Sequence, residues 1–481
     1  MAKKQLIIVG NGMAGGRLLD ELLQRQALDQ YEITVFGEER TGCYNRIMLS
    51  KVLGGACEST ITLKTTQWYE EQGIRLIAGK KVTEFQTEAH QIVTESGEIY
   101  PYDQLVIATG SYAFIPPIPG TYLEDRSLKP GVFAFRTLED CARMRAASEE
   151  GRHAVVIGGG LLGLEAAKGL ADLGLDTTLL HIADGLMERQ LDTPAGTQLA
   201  RTIEALGIKV IMPAMTQQVL GDDRVTGIQL KDGPEIPCDL LVVACGVRPR
   251  VEVAKASGLP VNRAILVDDQ LAVQETPDVF AVGECCEHRG VCYGIVSPIW
   301  EQVRVLAEVL TGTDPEAIFE GIKVYTRLKV AGVEVASMGL VHPEVDEDEV
   351  VQIAEARRGI YRKMIIREDR LVGAQFVGNA DAAASILQYL ERGDLLPTNR
   401  IDLLCSDEAR GMGTNADREI CNCNRVNEST IKQSIASGCD SIAAIGNRTA
   451  AGTGCGSCQG ELARLLQAAG KARRPEPAPA V

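Results

Sequence analysis

Four cysteines near the C-terminus have the residue type and the spacing of a metal-binding site. Cys421 and Cys423 are separated by one residue, Cys455 and Cys458 by two, and 31 residues lie between the pairs. Thiolates bind zinc or the irons of an iron–sulfur cluster, and a [2Fe-2S] cluster takes two thiolates on each iron. Structural zinc sites prefer pairs spaced by two to four residues, so the single-residue gap favours a [2Fe-2S] cluster, with zinc as the alternative.

Composition indicates a reducing compartment for these thiols. The chain has 481 residues, 14 cysteines and a formal net charge of -16. An acidic surface repels phosphate backbones, which argues against a nucleic-acid partner, and no apolar run is long enough to cross a bilayer. The opening "MAKKQLIIVGNG" runs into a glycine motif with no export cleavage signal. We therefore expect a cytoplasmic protein with no membrane attachment, in which paired cysteines bind metal.

Two glycine motifs carry a second chemistry, the binding of dinucleotides. The pattern G-x-G-x-x-G follows an apolar run at residues 10–15 and again at 158–163. Its first glycine permits a tight turn, the second lets a pyrophosphate approach the backbone, and the third lets helix and strand pack closely. The phosphates then lie at the positive end of the following helix. Two such motifs, each between a strand and a helix, predict two nucleotide sites.

The residue after the second strand of each unit bears on which dinucleotide binds, because an acid there usually contacts ribose hydroxyls. In the first unit the candidate is Glu38, one place later than usual. In the second unit the position holds His181, and no arginine cluster for a 2′-phosphate is evident. We therefore expect NADH at the second site and leave NADPH open.

The pattern of apolar runs predicts an α/β chain with two Rossmann-like domains, the second inserted into the first. Strands and one helix between about 320 and 400 predict a separate α+β domain, followed by a polar linker and the cysteine module. The expected boundaries are 1–117 and 250–316 for the first dinucleotide-binding domain, 118–249 for the second, 317–400 for the α+β domain, 401–417 for the linker, 418–470 for the cysteine module and 471–481 for a disordered tail.

These motifs, in this order, resemble the flavoproteins with two dinucleotide-binding domains of glutathione-reductase type, which include ferredoxin and rubredoxin reductases. Further matching pieces are "ATG" at 108–110, "ACGVRP" at 244–249 and "TPDVFAVGE" at 276–284. The resemblance implies FAD at the first site, on Gly10, Gly12, Ala14, Gly15, Glu38, Ala108, Thr109, Gly110, Gly283 and Glu284, the last of which replaces the usual aspartate. It implies a nicotinamide nucleotide at the second site, on Gly158, Gly160, Leu162, Gly163, His181 and Gly246.

A closer resemblance is to the flavin-binding half of the large subunit of assimilatory NAD(P)H nitrite reductase and to electron-transfer subunits of assimilatory nitrate reductase. The sequences "VGNGMAGGRLLDEL", "YNRIMLSKVL", "LMERQLD" and "VGECCEHRGVCYGIVSPIWEQ" are similar to signatures of that subfamily. The resemblance implies that Arg46 and Lys51 lie near the flavin, where a cation favours the reduced anion, and that Glu165 lies on the nicotinamide side. A solvated basic pair and an ordinary helix N-terminal acid are the alternatives.

The cysteine module resembles the [2Fe-2S] domain of bacterioferritin-associated ferredoxin, in "CNCNRV" and "AGTGCGSCQGEL". The resemblance implies that its four cysteines are the cluster ligands. Glycines beside the second pair would let backbone amides point at the sulfurs. One helix is expected between Asn427 and Gly438, and a second over "GELARLLQAAG".

The other thiols carry weaker hypotheses. Cys43 precedes the flavin-proximal stretch, but its spacing differs from that of known redox cysteines, so a redox role is not expected. The sequence "GECCEHRGVC" contains Cys285, Cys286, His288 and Cys292. We interpret these as small residues packed against the flavin rather than as a metal site.

Together these features predict an NADH-oxidising FAD and [2Fe-2S] enzyme that passes electrons to a partner. Flavin accepts the two electrons of hydride together and releases them singly, and ring proximity requires no general acid or base. Because no sirohaem half follows residue 470, we expect the electrons to pass to a separate catalytic subunit, of nitrate reductase first and of nitrite reductase second. Two alternatives stay open: a subunit of an amine, opine or cyanide-forming glycine dehydrogenase, against which the second glycine motif argues, and a non-enzymatic redox sensor with zinc.

Overall fold

The computed structural model describes residues 2–322, 325–380, 382–405, 417, 419–454, 456 and 458–470. Cys455, most of the expected linker and the expected tail therefore lie outside the described residues. The chain forms two compact units, one of Met1–Met187 with Ile203–Ile322 and one of Glu188–Thr202 with Lys323–Val481. Within the described part of the chain, no helix is long and apolar enough to span a membrane.

The N-terminal segment supplies most of the first dinucleotide-binding domain. Its strands are β1 (Lys4–Val9), β2 (Tyr31–Gly37), β3 (Cys43–Tyr44), β4 (Thr62–Lys64), β5 (Arg75–Ala78), β6 (Val82–Gln86), β7 (Gln91–Thr94), β8 (Ile99–Pro101), β9 (Gln104–Ile107) and β10 (Ser111–Ala113). Its helices are α1 (Met13–Gln24), α2 (Leu49–Leu53) and α3 (Thr66–Glu71).

The inserted segment repeats the arrangement, and the chain then returns to the first domain. The inserted strands are β11 (Val132–Phe133), β12 (His153–Ile157), β13 (Asp176–Leu180), β14 (Lys209–Ile211), β15 (Thr216–Leu220), β16 (Gly227–Leu230), β17 (Glu235–Pro237), β18 (Leu240–Val243) and β19 (Val247–Pro249), with α4 (Leu138–Ser148), α5 (Leu161–Asp172) and α6 (Thr193–Ala205). The returning segment holds α7 (Glu252–Ala256), β20 (Ile265–Val267), β21 (Val279–Ala281), β22 (Cys286–His288) and α8 (Val296–Thr311).

This first unit contains two five-stranded sheets, each built of parallel strands. Their strand orders are β21-β9-β1-β2-β5 and β11-β18-β12-β13-β14. The central strand β1 is buried on both faces, with Leu6 and Ile8 fully enclosed, which is why its sequence is apolar without alternation. In α1, Leu18, Leu19 and Leu22 recur at helical spacing and are all buried. Each glycine motif therefore follows the central strand of its sheet, β1 or β12. It lies at the carboxyl ends of the parallel strands, where such folds bind ligands.

The second unit contains an antiparallel sheet and the cysteine module. Its strands are β23 (Tyr325–Val330), β24 (Val333–Gly339), β25 (Glu349–Glu355), β26 (Ile360–Arg367), β27 (Arg370–Val377), β28 (Glu419–Cys421) and β29 (Val426–Asn427). Its helices are α9 (Ala383–Arg392), α10 (Asp402–Cys405), α11 (Glu428–Ala436), α12 (Ile442–Thr449) and α13 (Gln459–Ala468). The first five strands pair in the order β23-β24-β27-β26-β25, and α9 covers part of this sheet.

A buried polar cluster attaches residues 188–202 to that sheet. Asp192 Oδ2 lies 2.7 Å from Lys363 Nζ and accepts a hydrogen bond from Tyr361 Oη at 2.9 Å. The backbone N–H of Asp192 donates to Gln375 Oε1 at 2.8 Å, and its Oδ1 accepts from the N–H of Ala195 at the start of α6. Asp192, Lys363, Tyr361 and Gln375 are all buried. The segment that follows the second nucleotide-binding region in sequence is thus part of the C-terminal unit.

Candidate functional site

The first glycine motif lies between β1 and α1, and its three glycines have different neighbours. Gly10 has a φ of +124°, and a Cβ there would lie 2.1 Å from the carbonyl oxygen of Ala108. A Cβ on Gly15 would lie 2.2 Å from the carbonyl oxygen of Gly10, so both positions need glycine for packing. A Cβ on Gly12 would have one neighbour within 4 Å among the described residues, Arg46 Nε at 3.9 Å. The space beside Gly12, at the N-terminus of α1, suits a pyrophosphate.

Other residues predicted for the flavin converge on the same loop. A Cβ on Gly283 would lie 3.0 Å from that of Ala14 in α1. The carbonyl oxygen of Gly110, which has a φ of +66°, accepts from the backbone N–H of Arg250 at 2.9 Å. Thr109 Oγ1 donates to the carbonyl oxygen of Arg250 at 3.1 Å. The structure therefore brings the segments 108–110 and 283–284 to the glycine motif.

Arg46 is held beside this loop by three partners. Its guanidinium pairs with Glu39, and Nη1 donates to Tyr44 Oη at 2.7 Å and to the carbonyl oxygen of Arg136 at 3.1 Å. Tyr44 Oη in turn donates to Glu39 Oε2 at 2.7 Å. The cation is therefore fixed near Gly12. Lys51 differs, because it is exposed on α2 and no contact of its side chain within the described residues ties it to the loop.

Glu38, the candidate for the ribose-binding acid, lies directly after β2. Its side chain is 49% exposed, with Oε2 2.9 Å from Arg250 Nη1 and Oε1 3.7 Å from Lys81 Nζ. Two cations therefore fix a carboxylate at the edge of the first site.

Glu284 is tied to Arg136, a residue that the sequence did not indicate. The two side chains form an ion pair, and Ser111 Oγ donates to Glu284 Oε2 at 2.5 Å. Arg136 Nη2 also donates to Ser111 Oγ at 2.8 Å, whereas the buried Nε of Arg136 has no hydrogen-bond partner in the described part of the chain. An unsatisfied buried donor costs about 1–3 kcal/mol. A polar group of bound FAD would satisfy it, so the donor set fits the flavin.

The second glycine motif repeats the arrangement of the first. Gly158 has a φ of +119°, and a Cβ there would lie 2.3 Å from the carbonyl oxygen of Ala244. A Cβ on Gly163 would lie 1.8 Å from the carbonyl oxygen of Gly158. At Gly160, the N-cap of α5, a Cβ would have no described atom within 4 Å. Packing thus requires the first and third glycines, while the middle one borders open space suited to a second pyrophosphate.

His181 contacts the backbone of this second glycine loop. Its ring is buried, and Nδ1 accepts the backbone N–H of Gly159 at 3.0 Å. The next side chain, Ile182, is 65% exposed. Gly246, the last residue predicted for this site, has a φ of +100° and no described atom within 4 Å of a Cβ. His181 therefore shapes the loop, and Ile182 is the first side chain after β13 that faces outward.

Glu165 and Lys51 lie on helices that pack together. A Cβ on Gly169 of α5 would lie 2.9 Å from Leu53 Cδ2 of α2. Burial raises the pKa of Glu165 to about 8. A carboxyl in this state is largely protonated at neutral pH and can donate a hydrogen bond. Leu162, one turn earlier on α5, is half-buried.

The cysteine module gathers its described thiols at one place. Cys421 Sγ lies 3.7 Å from Cys423 Sγ. Hydrogen bonds with Cys423 and with Cys458 hold the pKa of Cys421 well below its usual range, and the backbone N–H groups of Gly452 and Asn424 contribute in the same direction. Iron is bound by thiolates, so a low thiol pKa and N–H groups directed at the sulfurs both favour binding of an iron–sulfur cluster. The remaining predicted ligand, Cys455, lies outside the described residues.

A glycine lets the two cysteine loops lie close together. A Cβ on Gly454 would lie 2.6 Å from Cys423 Sγ. The helix from Asn427 is confirmed as α11, and the second expected helix as α13, while α12 between them was not predicted. Ile431, Ile445 and Leu462, one from each helix, are fully buried. This core is small, so bound metal contributes to the stability of the module.

The remaining cysteines differ in exposure: Cys57 and Cys405 are exposed, Cys245 and Cys292 are half-buried, and the others are buried. Cys43 Sγ contacts the carbonyl oxygen of Gly12 at 3.4 Å, and burial raises the pKa of Cys43 to about 12, which makes it a poor nucleophile. Cys285 and Cys286 are fully buried and donate to backbone carbonyl oxygens. His288 is buried against Asp269, whose Oδ1 lies 2.8 Å from Nε2.

Three family models match successive parts of the chain. Residues 4–305 match the pyridine nucleotide-disulphide oxidoreductases, 325–394 the rubredoxin NAD⁺ reductase C-terminal domain, and 419–468 the BFD-like [2Fe-2S] binding domain. A ferredoxin reductase from Rhodopseudomonas palustris has a similar structure, with a TM-score of 0.72, 26% identity and coverage of 82% of this chain and 96% of the other. The expected fold class and the expected family resemblance are thereby confirmed.

Two relatives from Bacillus subtilis (strain 168) match almost the whole chain. An NAD(P)H nitrite reductase is 43% identical over 97% of this chain, and an assimilatory nitrate reductase electron transfer subunit is 35% identical over 97%. The matched regions make up 58% and 60% of these two proteins. The chain therefore spans about three fifths of the length of the curated relatives that it matches.

Proposed function

The chain belongs to the pyridine nucleotide-disulphide oxidoreductase family, and on that premise we propose that it oxidises NADH and passes the electrons to a protein that reduces nitrate or nitrite. Its cofactors are FAD, a nicotinamide nucleotide and a [2Fe-2S] cluster. The observation that carries the proposal is that one chain combines two glycine loops, each with room for a pyrophosphate, and a [2Fe-2S] module. A nitrate reductase electron transfer subunit matches this combination over 97% of the chain.

The first site has the residues to hold FAD. Gly12 leaves room for the pyrophosphate at the N-terminus of α1, and the fixed cation of Arg46 balances its charge. Arg136 and Glu284 offer a donor and an acceptor, and Glu38 offers a carboxylate for ribose hydroxyls. When bound, the flavin takes up hydride as an electron pair and the cluster carries electrons one at a time.

The second site supports NADH as the donor. Its loop has space at Gly160, and the stretch from His181 to Met187 contains no arginine or lysine to bind a 2′-phosphate. Glu165, which is largely protonated at neutral pH, is our candidate for a hydrogen-bond donor on the nicotinamide side. Lys51, on the helix packed against α5, is the companion candidate at the flavin.

Our proposal for the electron acceptor comes from the names of the two B. subtilis relatives. Both B. subtilis proteins are named for the reduction of nitrogen oxyanions, and one is named as an electron transfer subunit. The catalytic subunit of an assimilatory nitrate reductase is our first candidate, and a nitrite-reducing centre is the second. The net charge of -16 would attract a basic docking surface on either one.

An anaerobic titration with NADH tests the donor half. We expect the flavin absorption to bleach and an electron paramagnetic resonance signal of a reduced [2Fe-2S] cluster to follow, with NADPH less effective. Mixing the protein with purified nitrate reductase or nitrite reductase catalytic subunits then tests the acceptor half by NADH oxidation. A flavin that an amine or opine bleaches and NADH does not would show that the chain is instead a dehydrogenase subunit.

A further inference from the structure

Asn424 occupies a central place in the cysteine module without being a predicted ligand. Its side-chain Nδ2 lies 3.8 Å from Cys421 Sγ and 3.8 Å from Cys423 Sγ, within the range of an N–H···S hydrogen bond. The same nitrogen donates to the carbonyl oxygen of Ala450 at 2.7 Å and lies 3.5 Å from Thr453 Oγ1. One amide therefore connects the first cysteine pair to the loop that precedes the second pair.

The orientation of this amide follows from its partner at Ala450. A backbone carbonyl oxygen only accepts hydrogen bonds, so the atom of Asn424 at 2.7 Å must be the nitrogen. The nitrogen carries two hydrogens, so it can donate to Ala450 and to a sulfur at the same time.

The Ala450 end of this connection is itself fixed. Ala450 has a φ of +61° and ends α12, and its carbonyl oxygen also accepts from Thr453 Oγ1 at 2.7 Å. On the other side, a Cβ at Gly454 would lie 2.6 Å from Cys423 Sγ and 3.5 Å from Asn424 Nδ2. The amide is thus enclosed between the two loops, and its distance from the sulfurs is set by the fold of the module.

We infer that Asn424 is a positioning residue that tunes the [2Fe-2S] cluster, an inference that depends on the cluster assigned above. Reduction adds negative charge to the cluster, and N–H groups directed at its thiolates stabilise that charge. The Asn424 side chain therefore raises the reduction potential of the cluster, which makes it a better acceptor of electrons from the flavin. By bonding Ala450, it also holds the two ligand loops at the spacing that the cluster requires.

The test uses the full chain with its cofactors and three variants. Asn424→Ala removes the amide, Asn424→Gln keeps an amide donor on a longer side chain, and Asn422→Ala alters the half-buried neighbour in the same loop. Asn422 makes no side-chain hydrogen bond within the described residues, so it is the matched control. Iron and sulfide are counted in each protein, and the midpoint potential of the cluster is measured by redox titration monitored by electron paramagnetic resonance.

We expect Asn424→Ala to keep its cluster but to show a ratio of reduced to oxidised cluster that is about tenfold lower at a fixed ambient potential, equivalent to about 59 mV for one electron. Asn424→Gln should recover part of the shift, and Asn422→Ala should match the wild type. Loss of iron from Asn424→Ala alone would support the loop-spacing role. A full cluster with an unchanged potential in Asn424→Ala would overturn the inference, whereas a wild type that carries zinc would overturn the proposed function instead.

Discussion

Arg136 and Glu284 form an ion pair between segments that lie 148 residues apart in the sequence. Arg136 comes just before α4 of the inserted segment, and Glu284 follows β21 of the segment that returns to the first domain. Ser111 Oγ contacts both side chains, so three parts of the chain meet at one carboxylate. The Nε of Arg136 is buried beside them and has no hydrogen-bond partner within the described residues.

Arg136→Met should weaken FAD binding. The change removes the cation that pairs with Glu284 and leaves this half-buried carboxylate with Ser111 as a partner. Losing one hydrogen bond to a charged group costs about 1.5–3 kcal/mol, which corresponds to roughly 10- to 100-fold in affinity. Release of FAD on dilution, followed by flavin fluorescence, measures the change. Arg145→Met, an exposed arginine on α4, is the control, and equal FAD affinity in both variants would contradict the assigned role.

Alanine at the middle glycine of each loop should separate the two nucleotide sites. Gly12 and Gly160 have φ values of −86° and −79°, which alanine adopts without strain. Gly12→Ala should therefore fold and lose FAD affinity by roughly tenfold or more, because its Cβ occupies the pyrophosphate space. Gly160→Ala should retain FAD and raise the KM for NADH by a similar factor. FAD content and NADH kinetics of the two proteins are the measurements, and a loss of FAD in Gly160→Ala would count against separate sites.

The sequence predicted the nucleotide loops well because their physics is local. Gly10 and Gly158 need positive φ values to turn from strand to helix, and that requirement appears in the sequence as glycine at fixed spacing. The buried strands and the helices α11 and α13 were readable for the same reason, since apolar period and capping residues lie within a few positions.

The sequence did not predict contacts between distant segments of the chain. Nothing near Arg136 indicates Glu284, and nothing in "LMERQLD" indicates that Asp192 pairs with Lys363 in a sheet about 170 residues later. Asp348 lies in the acidic run at 346–349, and nothing near it in the sequence indicates that it pairs with Arg367 and accepts two backbone N–H groups. Charge in a sequence shows where ions are present, while burial and pairing depend on the tertiary fold.

Cys421→Ser should remove the [2Fe-2S] cluster and leave the first half of the electron path intact. Serine cannot replace the thiolate at this position without weakening the iron site, so the visible absorption of the cluster and its paramagnetic signal should disappear. NADH should still bleach the flavin, because both nucleotide loops lie in the other unit. Cys439→Ser is the matched control, since Cys439 lies buried in the same module with its Sγ on the carbonyl oxygen of Ala444. A cluster that survives in Cys421→Ser would refute the ligand set.

Glu165→Gln should change how stability depends on pH. Burial raises the pKa of Glu165 to about 8 from an ordinary value of 4.5. Between these values the unfolded chain releases its proton and the folded chain keeps it, so the folded wild type loses stability as pH rises through this window. The neutral glutamine has no such dependence. Relative to Glu165→Gln, the wild type should lose roughly 1–3 kcal/mol between pH 5.5 and 8.5, measured by urea unfolding without nucleotide. A difference that stays constant with pH would contradict the raised pKa.

Lys363→Met should destabilise the C-terminal unit strongly. The Lys363 and Asp192 side chains are only 6% and 7% exposed, and their 2.7 Å contact is the ion pair that neutralises both. Removing the lysine leaves a buried carboxylate that accepts hydrogen bonds from Tyr361 Oη and from the backbone N–H of Ala195, but has no cation. Breaking a buried pair from one side costs about 3–5 kcal/mol. Urea unfolding of the full chain, followed by a probe in this unit, measures the loss.

The double variant Asp192→Asn with Lys363→Met distinguishes loss of charge pairing from loss of packing. If the uncompensated carboxylate causes the cost, the double variant should recover much of the stability that Lys363→Met loses, because asparagine keeps the shape without the charge. Arg358→Met is the surface control: its side chain is 76% exposed in a 3.3 Å pair with Glu355, and its removal should change stability by less than about 0.5 kcal/mol. A double variant as unstable as Lys363→Met would mean that packing of the lysine stem, and not its charge, attaches residues 188–202 to the sheet.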